Sequence, residues 1–234
     1  MSPLFRECYD MKSLTFVLVC FVTSFVATAL AEESADKAKQ MATDIWKSSG
    51  GEEWPNIVEI DFTFVVEQQD GKTLASVAHK WNLAKNTDEV KWKTKDGKDK
   101  DITVNLAAPA QDEDGKMAYG RWVNDSYWLL APLKLRDPGV TLSYEGSKGV
   151  DGMAGETLRA TFGKVGLTPS DQYVFYIEPK TNTVFAWDYI PKADTVMHAT
   201  WDNYQYFSGL KLSTEHKMGD KMIRFKDITV AMDK

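Results

Sequence analysis

Three histidines, His79, His198 and His216, are the side chains best suited to proton transfer or metal ligation in this 234-residue chain. None stands within helical ligand spacing of another, and no His-Glu-x-x-His occurs, so a zinc-protease site has no support. His79 shares the apolar face of a predicted strand with Val77, Trp81 and Leu83, which reads as a satisfied core histidine. Gly146-Ser147-Lys148-Gly149 has the wrong spacing for a nucleophile elbow and reads as a flexible loop. No glycine-rich phosphate loop opens a helix. Asp112-Glu113-Asp114 lacks the spaced oxygen ligands of a calcium loop and reads as solvated. Asn124-Asp125-Ser126 matches a glycosylation acceptor, but the pattern is short and turn chemistry explains it equally. The sequence therefore assigns no catalytic residue, no metal ligands and no cofactor.

Composition narrows the partners. The formal net charge is −6. This argues against nucleic acid as a partner. It also provides no overall attraction to an anionic membrane. Both cysteines, Cys8 and Cys20, lie at the start of the chain. There Met11-Lys12, an apolar run from Leu14 to Leu30 and the small-x-small Ala29-Leu30-Ala31 form the pattern of a secretory signal peptide. Residues 1–10 read as a dispensable extension or a misassigned start, and retention of the segment as an anchor is the alternative. Cleavage near Ala31 predicts an exported, periplasmic or extracellular protein. Residues 1–31 are then extension and signal, and residues 32–234 are one domain without disulfides.

Periodicity sets the fold class. Ala38, Met41, Ala42, Ile45 and Trp46 recur at helical spacing, with Ser34 as N-cap and Ser48-Ser49-Gly50-Gly51 as the stop. Val58, Ile60, Phe62, Phe64 and Val66 alternate with polar residues over 57–68, the pattern of a strand with one buried face. Asp70-Gly71 and Asp96-Gly97 are turn signals. Further strands are predicted near 74–84, 88–95, 102–106, 140–145, 156–163, 172–179, 183–190, 196–204, 209–217 and 221–230, with 146–155 as a glycine-rich loop. Lys116–Val123 reads as a short helix or loop. The apolar stretch Asn124–Gly139, with Pro132 inside it, reads as a buried crossover between two sets of strands. The expected fold is mainly β with one principal helix (α+β). A curved antiparallel half-barrel of about ten or eleven strands would wrap around the N-terminal amphipathic helix.

Such a shell encloses an apolar interior. Small helix residues beside Met41 and Trp46 leave its packing uneven, so it has room for an apolar small molecule or acyl chain. Met41, Ile45, Phe62, Phe64, Trp81, Trp92, Tyr127 and Trp128 are the candidate lining. Lys134 and Arg136 are candidate rim cations for an acidic head group.

Four phrases carry a family resemblance. They are Asp125–Gly139, Val165–Asp171, Tyr176–Asn182 and Trp201–Leu210. With the order of signal, helix and strands, residues 34–217 resemble an uncharacterised family of secreted bacterial proteins. That family is related to the periplasmic outer-membrane lipoprotein carriers. The resemblance implies a half-open barrel with an apolar cavity and a lipophilic ligand; it transfers no individual site residue. A binding or carrier protein is thus the leading expectation. An envelope protein-protein interaction module with a solid barrel is the first alternative. A secreted hydrolase or isomerase using His79 or His198 is the last.

Overall fold

The structure is a computed structural model that describes residues 32–233. The signal segment and cleavage point expected over residues 1–31 lie outside the described residues. Helix α1 covers residues 32–48. A 3-10 turn, Gly51–Asn56, leads into four antiparallel strands. These are β1 (Ile57–Gln68), β2 (Thr73–Asn82), β3 (Thr87–Lys93) and β4 (Asp99–Asn105). A second helix, α2 (Glu113–Lys134), follows. The chain then makes β5 (Thr141–Val150), β6 (Met153–Thr161), β7 (Gln172–Glu178), β8 (Thr183–Lys192) and β9 (Thr195–Thr200). Strands β10 (Asp202–Phe207), β11 (Leu210–Met218) and β12 (Lys221–Met232) complete it.

The strands form two sheets. One has seven strands in the order β10-β11-β12-β1-β2-β3-β4, and the other has five in the order β5-β6-β7-β8-β9. All the pairings are antiparallel. The sheets do not close into a barrel, so the half-open, mainly β fold is as the periodicity predicts. Period-two burial drives it: Ile60, Phe62 and Phe64 on β1 are buried and their neighbours Glu59, Asp61 and Thr63 are not. The register sets Phe62 opposite His79 and Phe64 opposite both Val77 and Phe225, so apolar side chains stack on one face across the strands.

Three sequence expectations change. First, residues 124–134 of the stretch read as a crossover are the C-terminal half of α2, and 135–139 are the turn that follows it. The Asp112 carboxylate caps this helix by accepting from the Gly115 amide at 2.8 Å. Glu113 and Asp114 occupy its first turn and Lys134 its last, matching the helix dipole. Pro132 lies in the final turn, where its missing backbone donor removes one bond, to the carbonyl four residues earlier, near the end of the helix. Second, the glycine-rich 146–155 segment is a hairpin. Strands β5 and β6 pair through it and turn at Asp151 and Gly152, both with positive φ. Third, the strand expected over 196–204 is two strands in different sheets, giving twelve among the described residues.

That third break falls at Trp201, which is buried. Its amide donates to the Phe185 carbonyl of β8 at 2.8 Å. On the other side His216 Nδ1 lies 3.1 Å from the Thr200 carbonyl, and the Lys217 amide donates to Thr200 Oγ1 at 3.0 Å. One residue therefore carries the chain from sheet to sheet, fastened on both sides. Beneath the sheets lie Ala38, Ala42 and Ile45 of α1 and Leu129, Leu130 and Ala131 of α2, in one continuous core. No helix among the described residues is long and apolar enough to cross a membrane.

Candidate functional site: an aromatic cavity beside the second helix

A cavity of about 730 Å³ opens along α2. Its walls come from α2 (Trp122, Tyr127, Trp128), β1 (Phe64, Val66), β7 and β8 (Tyr173, Tyr189), and the residues between β6 and β7. The volume falls within the ~300–1,000 Å³ typical of small-molecule sites. Its aromatic wall is continuous. Tyr127 stands 5.0 Å from Tyr173 and 5.8 Å from Phe162, ring centroid to centroid. Trp128 meets Trp187 edge-on at 4.5 Å, an arrangement that aromatic quadrupoles favour.

The polar groups of the wall are few. Tyr189 donates its hydroxyl to Asp171 Oδ2 at 2.6 Å. Burial, followed by that hydrogen bond, pushes the Tyr189 pKa up to about 12. Burial likewise raises the Tyr127 pKa well above its ordinary value. Both tyrosines stay neutral, and the wall remains weakly polar. Lys134 lines the cavity and pairs with Asp137 at 3.5 Å. This pair is partly exposed and contributes about 0–1 kcal/mol.

The predicted lining divides. Phe64, Tyr127, Trp128 and Lys134 stand in the cavity wall. Ile45, Phe62, Trp81 and Trp92 are buried in the packed core, and Met41 packs against it. Arg136 is elsewhere, with its guanidinium over the Trp46 ring at 4.6 Å. The strand-like alternation of 133–136 put Lys134 and Arg136 side by side. In the structure Lys134 ends α2 and Arg136 lies in the turn beyond it, so no strand sets the two side by side.

Sequence reasoning missed Tyr173, Tyr189 and the loop bearing Val165 and Leu167. The loop had a signal: two large apolar residues around Gly166, in a segment otherwise rich in Gly, Pro, Ser and Thr.

Next to the cavity is a buried ionic cluster. His79 Nδ1 lies 2.7 Å from Asp88 Oδ2, and Nε2 lies 3.1 Å from Asp125 Oδ2. The three belong to β2, β3 and α2, and all are buried. Two carboxylates leave the ring nothing to accept, so both nitrogens donate and the imidazole is cationic. Burial alone would lower the His79 pKa; the hydrogen bonds it donates to Asp125 and Asp88 outweigh it, and the net shift is upward. Asn124 Nδ2 donates to the other Asp125 oxygen at 2.7 Å. Stacking of Phe62 on the His79 ring at 4.6 Å completes the enclosure. The predicted core histidine is therefore present, but as the charged centre of a tie between sheet and helix.

His216 has the opposite character. It is wholly buried and ringed by Trp128, Trp201 and Phe225. Burial dominates and depresses its pKa to about 3, against the weaker upward pull of the Thr200 carbonyl. His198 lies on the far side of the five-stranded sheet. It bridges Asp188 at 2.6 Å and Asp151 at 2.8 Å.

Fold and site together define a class: an open antiparallel half-barrel with two internal helices and an aromatic cavity. Among solved structures it is similar to a DUF1329 family protein from Desulfovibrio piger, at 12% identity and a TM-score of 0.48, over 84% of this chain and 92% of that one. It is also similar to a putative outer membrane lipoprotein-sorting protein domain from Vibrio parahaemolyticus, at 12% identity and a TM-score of 0.47, over 84% and 93%. A LolA superfamily protein from Nitrosomonas europaea follows at 10% identity and a TM-score of 0.45, over 80% and 92%. No protein-family model and no curated protein matches the chain. Its structural neighbours include DUF1329 and lipoprotein-sorting-like proteins.

Proposed function

We propose that this chain is an exported, non-enzymatic binding or carrier protein that holds an apolar ligand, an acyl chain, in the cavity beside α2. The observation that carries the reading is the cavity of about 730 Å³ with its aromatic wall. Each methylene transferred there from water contributes about 0.8 kcal/mol. Phe64, Tyr127 and Trp128, with Tyr173 and Phe162, would contact the chain. Ile45, Phe62, Trp81 and Trp92 would back that wall, and Lys134 would stand at its edge. The space beside α2 does not favour the solid-barrel alternative. Nor do His79 and His198 favour the hydrolase alternative, since both ring nitrogens of each already face carboxylates.

Native mass spectrometry after detergent-free purification, with fluorescence titration of cis-parinaric acid, tests the reading. A co-purifying lipid mass and saturable one-to-one uptake are expected. Absence of both sinks it.

A further inference from the structure

We propose that the turn Val165-Gly166-Leu167 is the portal of this cavity and inserts shallowly into a lipid surface bearing anionic head groups. The proposal rests on the carrier reading above.

The turn belongs to the connection between β6 and β7, exposed from Gly163 to Ser170. Val165 is 39% exposed and Leu167 56%. Both residues also line the cavity. The same two side chains therefore meet ligand space on one side and solvent on the other, as a portal requires.

The turn is built to stand out. The Val165 amide donates to the Phe162 carbonyl at 2.9 Å, and the Asp171 amide to the Thr168 carbonyl at 3.0 Å. Gly163 and Gly166 take φ of +51° and +82°, conformations that glycine tolerates best. Its base is held in three places. Val165 packs so closely on Gly139 that a Cβ there would meet its side chain at 2.6 Å. Leu167 lies beside Gly120 of α2. Asp171 accepts the Tyr189 hydroxyl. The exposed apolar tip is a held feature, and leaving it in water is unfavourable.

Charge selects the surface. Lys164 is exposed next to the tip, and Lys221 is exposed in the cavity wall. Among the described residues neither forms an ion pair. The wall has two carboxylates: Asp137 pairs with Lys134, and Asp171 accepts from the neutral Tyr189 hydroxyl and keeps its charge. Asp220, beside Lys221 in sequence, is not part of the wall. Lys134, Lys164 and Lys221 stand against Asp137 and Asp171, so the wall and tip together carry a net +1 (3 − 2), although the whole chain carries −6. An apolar tip with Lys164 beside it and Lys221 in the wall of the same cavity suits a surface with apolar depth and anionic heads.

The test places a nitrobenzoxadiazole probe on Leu167→Cys in the full chain, with Cys8→Ser and Cys20→Ser. The same probe on Lys95→Cys, in the exposed β3–β4 turn, is the control. Vesicles of phosphatidylethanolamine with phosphatidylglycerol are compared with vesicles of phosphatidylcholine. With the anionic vesicles, emission at 167 is expected to shift blue and at least double, the gain falling threefold or more in Lys164→Glu. The Lys95 probe is expected to stay unchanged. No shift at 167, an equal shift with both vesicles, or an equal shift at 95 overturns the proposal. Uptake of cis-parinaric acid is measured on the same samples. Uptake without a shift overturns insertion and leaves the carrier reading standing. A shift without uptake overturns the carrier reading, and the portal role with it.

Discussion

Nε2 of His79 lies 3.1 Å from Oδ2 of Asp125, and this contact fastens β2 to α2 through the middle of the core. With Asp88 on the other nitrogen, the imidazolium joins two strands and the helix that walls the cavity. Removing one partner leaves buried charge uncompensated. Asp125→Ala is expected to lower stability in urea unfolding by about 3–5 kcal/mol. Asp125→Asn keeps an accepting oxygen and should cost clearly less; equal losses would show that the retained oxygen contributes nothing and the lost charge accounts for the whole effect.

The pH dependence of that tie has a definite sign. The folded His79 pKa is raised above its unfolded value of 6.5, so the folded state holds the proton more tightly. Its contribution is complete below 6.5 and is lost as pH rises through the folded pKa. Thermal unfolding of the wild type should show a falling alkaline limb that His79→Gln lacks. An unchanged limb in the variant would reject this assignment.

His216 acts in the opposite direction. Its folded pKa is about 3 against 6.5 unfolded, so on acidification the unfolded state takes up the proton first. Its contribution is present above 6.5 and is lost as pH falls towards 3. His216→Phe should therefore flatten the acid limb of the stability curve between those values. A steeper limb would contradict the neutral, buried ring.

Filling the cavity tests its role directly. Met197 of β9 is part of its wall. Met197→Trp should weaken cis-parinaric acid binding at least tenfold, about 1.4 kcal/mol, while overpacking costs roughly 1–3 kcal/mol of stability. Unchanged affinity would place the ligand elsewhere.

Gly139 tests the base of the loop. Its φ is +89°, and an added Cβ would meet Val165 at 2.6 Å. Gly139→Ala should cost about 1–3 kcal/mol and expose residues 163–170 to limited proteolysis. Wild-type protease resistance in the variant would mean that this packing does not hold the loop.

Much of this fold is written in period two. Strand β1 was legible because its wet face alternates with its buried one for most of its length. Helix α2 was not. Between Tyr127 and Leu133 it has no polar residue to mark an outer face, since sheet or cavity meets it on nearly every side. Its buried stripe also contains Asp125, a residue that pattern reading excludes from a core until its partner His79 is seen across space. The β9–β10 break was hidden because strands on both sides of Trp201 are extended and half-apolar. Of the candidate site, Phe64, Tyr127 and Trp128 could be read from sequence, while Tyr173 and Tyr189 could not. On β7 and β8 nearly every residue is at least half-buried, so nothing in the pattern distinguishes a cavity wall from core.

The single-residue corner at Trp201 has a mechanical consequence. With both neighbours fastened across it, the back of the half-barrel behaves as the sprung end of a clip. The sheets end at β4 and β5, and no strand joins these two. If the cavity admits a bulkier guest, widening is expected at that open side, where α2 connects the two strands, and not at the Trp201 seam.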